Sequence, residues 1–105
     1  MTAHQRTMNA IVAAVAEALD VSPVRVRQGD GETRARPGSR VAEARAVAAW
    51  IAVRRFGLEP RAVARWFGGA VRTREWWERS ARRAGAPSLA SGLVAAAERR
   101  MGRLG

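Results

Sequence analysis

The apolar positions of this chain recur at three- and four-residue intervals along most of its length. Met8, Ile11, Val12, Val15 and Leu19 form the first such stripe and predict a helix over residues 7–19 with one face on a core. Asp20 and Val21 end it. Ser22-Pro23 pairs a capping residue with a proline suited to a first helical position, so Val24 to Arg27 read as a short second helix. Residues 28–39 hold three glycines and a proline and read as a loop. A long helix follows from about Arg40 to Phe56, with Val41, Ala44, Ala48, Ile51 and Ala52 as its buried stripe, Trp50 beside them and Gly57 at its C-terminal end.

A fourth helix is expected from Pro60 to about Phe67, its apolar side supplied by Ala62, Val63, Trp66 and Phe67. Gly68-Gly69 gives the next turn access to positive φ. Helix five is expected over Thr73 to Ala84, with Thr73 as N-cap. Trp77, Ala81 and Ala84 share its core face, while Arg72, Trp76, Arg79 and Arg83 share another. Gly85-Ala86-Pro87 breaks the chain. Ser88 or Ser91 then caps a last helix to about Arg103, with Leu93, Val94, Ala97, Met101 and Leu104 as its stripe. The pattern predicts an all-α fold, a compact domain of five to six helices.

Composition narrows the chemistry. The 105 residues suffice for one domain with its own core. There is no cysteine and one histidine, His4, so disulfides, thiolate chemistry and a histidine-rich metal site are excluded. Glu75 and Glu78 read as helix-surface charges, with no nucleophile or metal group beside them, and no enzyme activity and no cofactor are expected. Glu17 interrupts the apolar segment 10–19, so it reads as a helix of a cytoplasmic protein rather than a signal core. No apolar run is long enough to span a bilayer, and no membrane partner is expected.

Charge points to an anionic partner. The chain has 19 arginines, no lysine and a formal net charge of +10. An alanine- and arginine-rich composition also arises from GC-rich coding, so the net charge carries more weight than the choice of arginine over lysine.

The order of these elements resembles the C-terminal DNA-binding domain of the bacterial replication initiator DnaA, of the Trp-repressor-like helix-turn-helix class. The matching pieces are Val15-Ala16-Glu17 with Val21-Ser22, Ala44-Arg45-Ala46-Val47-Ala48, Gly57-Leu58-Glu59-Pro60 and Ala64-Arg65-Trp66-Phe67-Gly68-Gly69. The similarity covers about residues 11–84. After Phe-Gly-Gly the family carries Arg-Asp-His-Thr-Thr, where this chain has Ala70-Val71-Arg72-Thr73-Arg74. In the simplest alignment only Thr73 matches; a shift of two pairs Arg72 with the family's arginine. The initiator's box specificity is therefore not carried over. The ATPase module is missing, and a chain without lysine has no Gly-x-x-x-x-Gly-Lys-Ser/Thr loop, so no nucleotide is expected.

The resemblance implies a stand-alone, sequence-specific double-stranded DNA binder acting in transcription regulation at the nucleoid. Small activators of phage-like or gene-transfer-agent clusters are the nearest analogy. Residues 1–87 would form the DNA-binding domain, and the helix of 88–105 would pack on it or bind a partner. Arg72, Thr73 and Arg74 would enter the major groove, against the plain reading of a solvated turn. Trp76 would touch sugar or a thymine methyl, or lie over arginine stems. Arg34, Arg36 and Arg40 would follow a minor groove or phosphates. Arg61, Arg65 and Arg45 are phosphate candidates, with Arg45 equally suited to bracing the fold from within. The alternatives are an adaptor docking on RNA polymerase, a sigma-like factor or a co-activator through residues 88–104, and a non-specific nucleoid protein.

Overall fold

The structure, a computed structural model, describes residues 2–28, 39–68 and 74–102, with the side chains of all but 74–76. Six helices follow in order: α1 (Ala3–Leu19), α2 (Pro23–Gln28), α3 (Arg40–Arg54), α4 (Pro60–Trp66), α5 (Arg74–Arg83) and α6 (Ala86–Arg100). No strand occurs among the described residues. The expected all-α class and helix number are observed.

α3 is the centre of the molecule. It packs against α1, α2, α4, α5 and α6 alike. A helix enclosed in this way must be apolar on most of its circumference, and Ala42, Ala46, Val47 and Ala49 are buried in addition to the expected Val41, Ala44, Ala48, Ile51 and Ala52. Alanine makes this possible, because short side chains on α3 let several neighbours approach it closely. Met8, Ile11, Val12 and Val15 of α1 are buried as expected, and Val26 of α2 and Val63 of α4 complete that side of the core.

The ends of the helices follow local chemistry. α1 begins four residues earlier than its apolar stripe suggests, because Thr2 and Gln5 form a capping box. The Thr2 hydroxyl accepts from the Gln5 N–H at 3.1 Å and the Gln5 side chain accepts from the Thr2 N–H at 3.0 Å. At its other end Asp20 takes a left-handed conformation, φ 56°. The Val21 N–H then reaches the Ala16 carbonyl at 2.9 Å and the Asp20 N–H the Glu17 carbonyl at 3.3 Å, which is a Schellman closure. α3 stops at Arg54, two residues short of expectation. Gly57 follows at φ 70°, and Leu58 donates back to the Ala52 carbonyl at 3.0 Å.

The last helix starts differently from expectation. Neither Ser88 nor Ser91 caps it; Gly85, at φ 85°, is the N-cap and Pro87 sits in the first turn. Proline is tolerated there because the first N–H groups of a helix have no partner within it. The Gly85 carbonyl takes the N–H groups of Ser88 and Leu89, both at 3.1 Å. α6 ends at Arg100 rather than near Arg103.

α6 lies along α1 and also touches α3 and α5. Ala86, Ala90, Leu93 and Ala97 are buried, with Val94 and Met101 packed against the same core; Leu104 lies outside the described residues. The domain boundary expected at residue 88 thus falls within the first turn of a helix that shares the core. α5 contributes Trp77 and Ala81 to that core, with Ala84 packed on it, as its register predicts. The radius of gyration, 12.4 Å, is close to the ~13 Å of a single compact domain of about 100 residues.

Two stability measurements check this account. Leu93→Ala leaves a cavity between α6 and its neighbours and lowers the free energy of unfolding by about 2–4 kcal/mol in chemical denaturation; a loss below about 0.5 kcal/mol would place α6 outside the cooperative core. Asp20→Gly relieves a left-handed side-chain-bearing residue and raises stability by up to ~1 kcal/mol, whereas Asp20→Val lowers it.

Candidate nucleic-acid interface

α4 and α5 are the consecutive helices that the sequence pattern read as a helix-turn-helix pair, separated in the chain by residues 67–73. Each end of this unit is built from the sequence outward. α4 opens with Pro60 at its first turn, behind Glu59 at the N-cap position. Its Val63 is fully buried, while Trp66 and Phe67 are half-buried against the core. The period of the helix therefore sends Arg61 and Arg65 the other way, and both are exposed. Gly68, at φ 107°, provides the positive φ expected of the turn. α5 is oriented by Trp77 and Ala81 in the core, which leaves Arg79, Arg82 and Arg83 exposed.

The expected groove-reading residues are only partly within reach of description. Arg72 and Thr73 lie outside the described residues, as do Arg34 and Arg36. Arg74 is the first residue of α5 and Trp76 lies in its first turn, but their side chains are not described. The N-capping expected of Thr73 likewise falls outside.

Arg40 and Arg45 are placed by contacts within the protein. The Arg40 guanidinium donates to the Leu19 carbonyl at the end of α1, from Nε at 3.2 Å and Nη2 at 2.6 Å. A cation on the last carbonyl of a helix satisfies an acceptor that the helix itself leaves open, and it complements the dipole. In the free protein Arg40 thus caps α1 from an exposed position, and any contact with a phosphate competes with that cap.

Arg45 is half-buried on α3 and points its guanidinium at the ends of two other helices. Nη1 donates to the carbonyls of Val26 at 2.7 Å and Arg27 at 2.9 Å, in the last turn of α2. Nη2 donates to the carbonyl of Phe67, the C-cap of α4, at 3.1 Å. The same guanidinium lies 4.9 Å from the centre of the Phe67 ring. Of the two roles open to this residue from sequence, the internal brace is the one these contacts describe.

Arg27 is a contributor the sequence pattern passed over. Its guanidinium lies 4.7 Å from the centre of the Trp66 ring, which ties α2 to α4 a second time. Such a contact contributes about 0.5–1 kcal/mol when exposed. Trp66 in turn meets Phe67 edge-to-face, with ring centres 5.1 Å apart. The indole N–H groups of Trp50 and Trp66 are shielded from solvent and find no acceptor among the described residues. Trp50, Trp66 and Phe67, expected as core, are half-buried and pack against it.

The remaining charge is distributed around this framework. Arg54 pairs with Glu78 at 2.8 Å across α3 and α5, and Arg100 pairs with Glu17 across α6 and α1. Both pairs are solvent-accessible and each adds at most about 1 kcal/mol. Arg25, Arg55 and Arg99 are exposed. The described residues contain no His/Cys/Asp/Glu group able to hold a metal ion, and no helix among them is long and apolar enough to cross a membrane.

No protein-family model matches the chain, and no curated protein or solved structure matches it either.

Proposed function

We propose that this chain is a sequence-specific double-stranded DNA-binding protein that regulates transcription. The observation that carries the proposal is the division of side chains on α4. Its apolar residues face inward, while Arg61 and Arg65 face solvent immediately before the glycine turn, in a chain of net charge +10. A duplex presents phosphates at regular spacing, and arginines displayed on short helices neutralise them without sequence preference. α5 follows in the chain, with Arg72 and Thr73 preceding it in sequence and Arg74 as its first residue, at the end that helix-turn-helix folds aim at the major groove. Arginine there pairs with the O6 and N7 of guanine, and threonine meets a phosphate or a thymine methyl.

The sequence resemblance to the DNA-binding domain of the replication initiator supports the same reading, as does the six-helix all-α architecture with a centrally placed α3. The departure after Phe-Gly-Gly gives this chain a different set of reading groups, so the proposed target sequence is its own. Affinity would come mainly from arginine–phosphate contacts and selectivity from the few residues at the start of α5.

Salt titration of duplex binding by fluorescence anisotropy tests the proposal. Neutralising about six phosphates gives a slope of about −5 in log affinity against log salt; a flat response contradicts duplex binding of this kind. Arg61→Ala and Arg65→Ala each weaken all sequences alike and lower the magnitude of the slope by about one. Arg74→Ala instead reduces discrimination between selected and random sites by about 1–3 kcal/mol. Equal loss on every sequence would remove Arg74 from the readout and leave a non-specific binder.

A further inference from the structure

Arg40, Arg45, Arg54 and Arg100 all spend guanidinium donors on oxygen atoms of the protein. Arg27 does not. It is exposed in the last turn of α2 and pairs with no carboxylate among the described residues. Its guanidinium instead lies over the Trp66 ring of α4, 4.7 Å from the centre. A ring face attracts the cation without supplying an acceptor oxygen, so the N–H groups remain available to an oxygen from outside. Arg27 is also held at its other end. Its carbonyl accepts from Arg45 Nη1 at 2.9 Å, while Nη2 of the same guanidinium donates to the Phe67 carbonyl at 3.1 Å. The backbone of α2 at Arg27 and the C-cap of α4 are therefore tied to one rigid fork on α3. Trp66 directly follows Arg65 in α4, and Arg61 lies one turn before Arg65 on the same exposed face.

We propose that Arg27 is a further phosphate-contacting residue of the duplex interface, held in place by Trp66, so that the arginine row of α4 continues onto α2. The inference rests on the reading of the chain as a duplex-DNA binder and deepens it by adding a contact from a second helix. Sequence spacing gave no reason to join Arg27 to Arg61 and Arg65, because α3 separates them along the chain; the ring of Trp66 joins them in space. An exposed arginine gives up side-chain freedom when it grips a phosphate, at a cost of about twofold to tenfold in affinity. A guanidinium already lodged over an indole has given up part of that freedom in the free protein. Trp66 is then a positioning residue: it touches no phosphate and acts through Arg27.

The test is a double-mutant cycle of Arg27→Ala and Trp66→Leu in the full chain, read by salt titration of duplex binding, with circular-dichroism melting to verify folding. Arg27→Ala weakens all duplex sequences alike and lowers the magnitude of the salt slope by about one. Trp66→Leu keeps the charge but frees it, so affinity falls by about twofold to tenfold while the slope stays unchanged. Added to Arg27→Ala, Trp66→Leu costs less than about twofold more, because the residue it positions is already gone. A purely structural role for Trp66 gives the same loss in both backgrounds, and that result overturns the positioning. An unchanged slope in Arg27→Ala overturns the phosphate contact. If Trp66→Leu does not fold, the slope of Arg27→Ala decides alone, since position 27 is exposed and its removal leaves the core intact. If the native chain binds no duplex at low salt, the DNA-binding reading itself fails and this inference falls with it; a native chain that binds with a slope indifferent to Arg27 refutes the inference alone.

Discussion

The half-buried guanidinium of Arg45, on a helix that five others pack against, finds its acceptors inside the molecule, at helix ends. α3 is apolar on nearly its whole circumference because every other helix packs against it. Arg45 interrupts that surface. Desolvating a charge is costly unless its donors are met, and the donors of a guanidinium are rigidly arranged. The acceptors best able to meet them are carbonyls a helix cannot use itself, namely those of its last turn. The Val26 and Arg27 carbonyls of α2 and the Phe67 carbonyl of α4 have this character. The placement of α2 and α4, both too short to persist alone, follows from that requirement together with the burial of Val26 and Val63.

The same constraint shapes the surface. With α4 anchored through Val63 and Phe67, its period leaves Arg61 and Arg65 outward, and the chain enters residues 69–73 from a fixed point. With α2 anchored through Val26 and the carbonyls beside it, the chain enters residues 29–38 from a second fixed point beside the first. Arg40 closes the return of that stretch by capping α1 at Leu19. Arginine thus braces helix ends from within in one lysine-free chain and, in the proposed function, presents charge to a duplex from without. Helix-terminal carbonyls and phosphate oxygens are recognised by the same planar donors, which is why residue type alone does not separate the two uses.

That ambiguity explains which parts of the molecule were legible in the sequence. The stripe from Met8 to Leu19 located α1, and the Trp77–Ala81–Ala84 register oriented α5, because large or well-spaced apolar residues mark a face. α3 was harder to delimit around its axis. Alanine is small enough for either environment, so Ala42, Ala46 and Ala49 gave no sign of being buried. The Thr2–Gln5 capping box was present as a pattern, but it lies before the first apolar position of the stripe and extends α1 beyond it. Gly-Ala-Pro read as a break because proline ends helices more often than it starts them; Pro87 instead occupies a first turn, where its missing N–H has no consequence. Arg45 showed its spacing in the sequence but not its acceptors, which lie 18 to 22 residues away along the chain and come together only through the packing of α2 and α4 on α3. Arg27 over Trp66 was hidden for the same reason.

The absence of lysine offers a direct view of the central claim, since every basic side chain apart from His4 is an arginine with an observable Nε–H. Arginine-selective NMR during titration with a selected duplex should move the signals of Arg61, Arg65, Arg74 and the arginines of 29–40, while Arg99 and Arg100 on α6 stay in place. Arg45 should shift little and remain protected from exchange. Perturbation concentrated on α6, or a spectrum that duplex DNA leaves unchanged at low salt, would contradict the account.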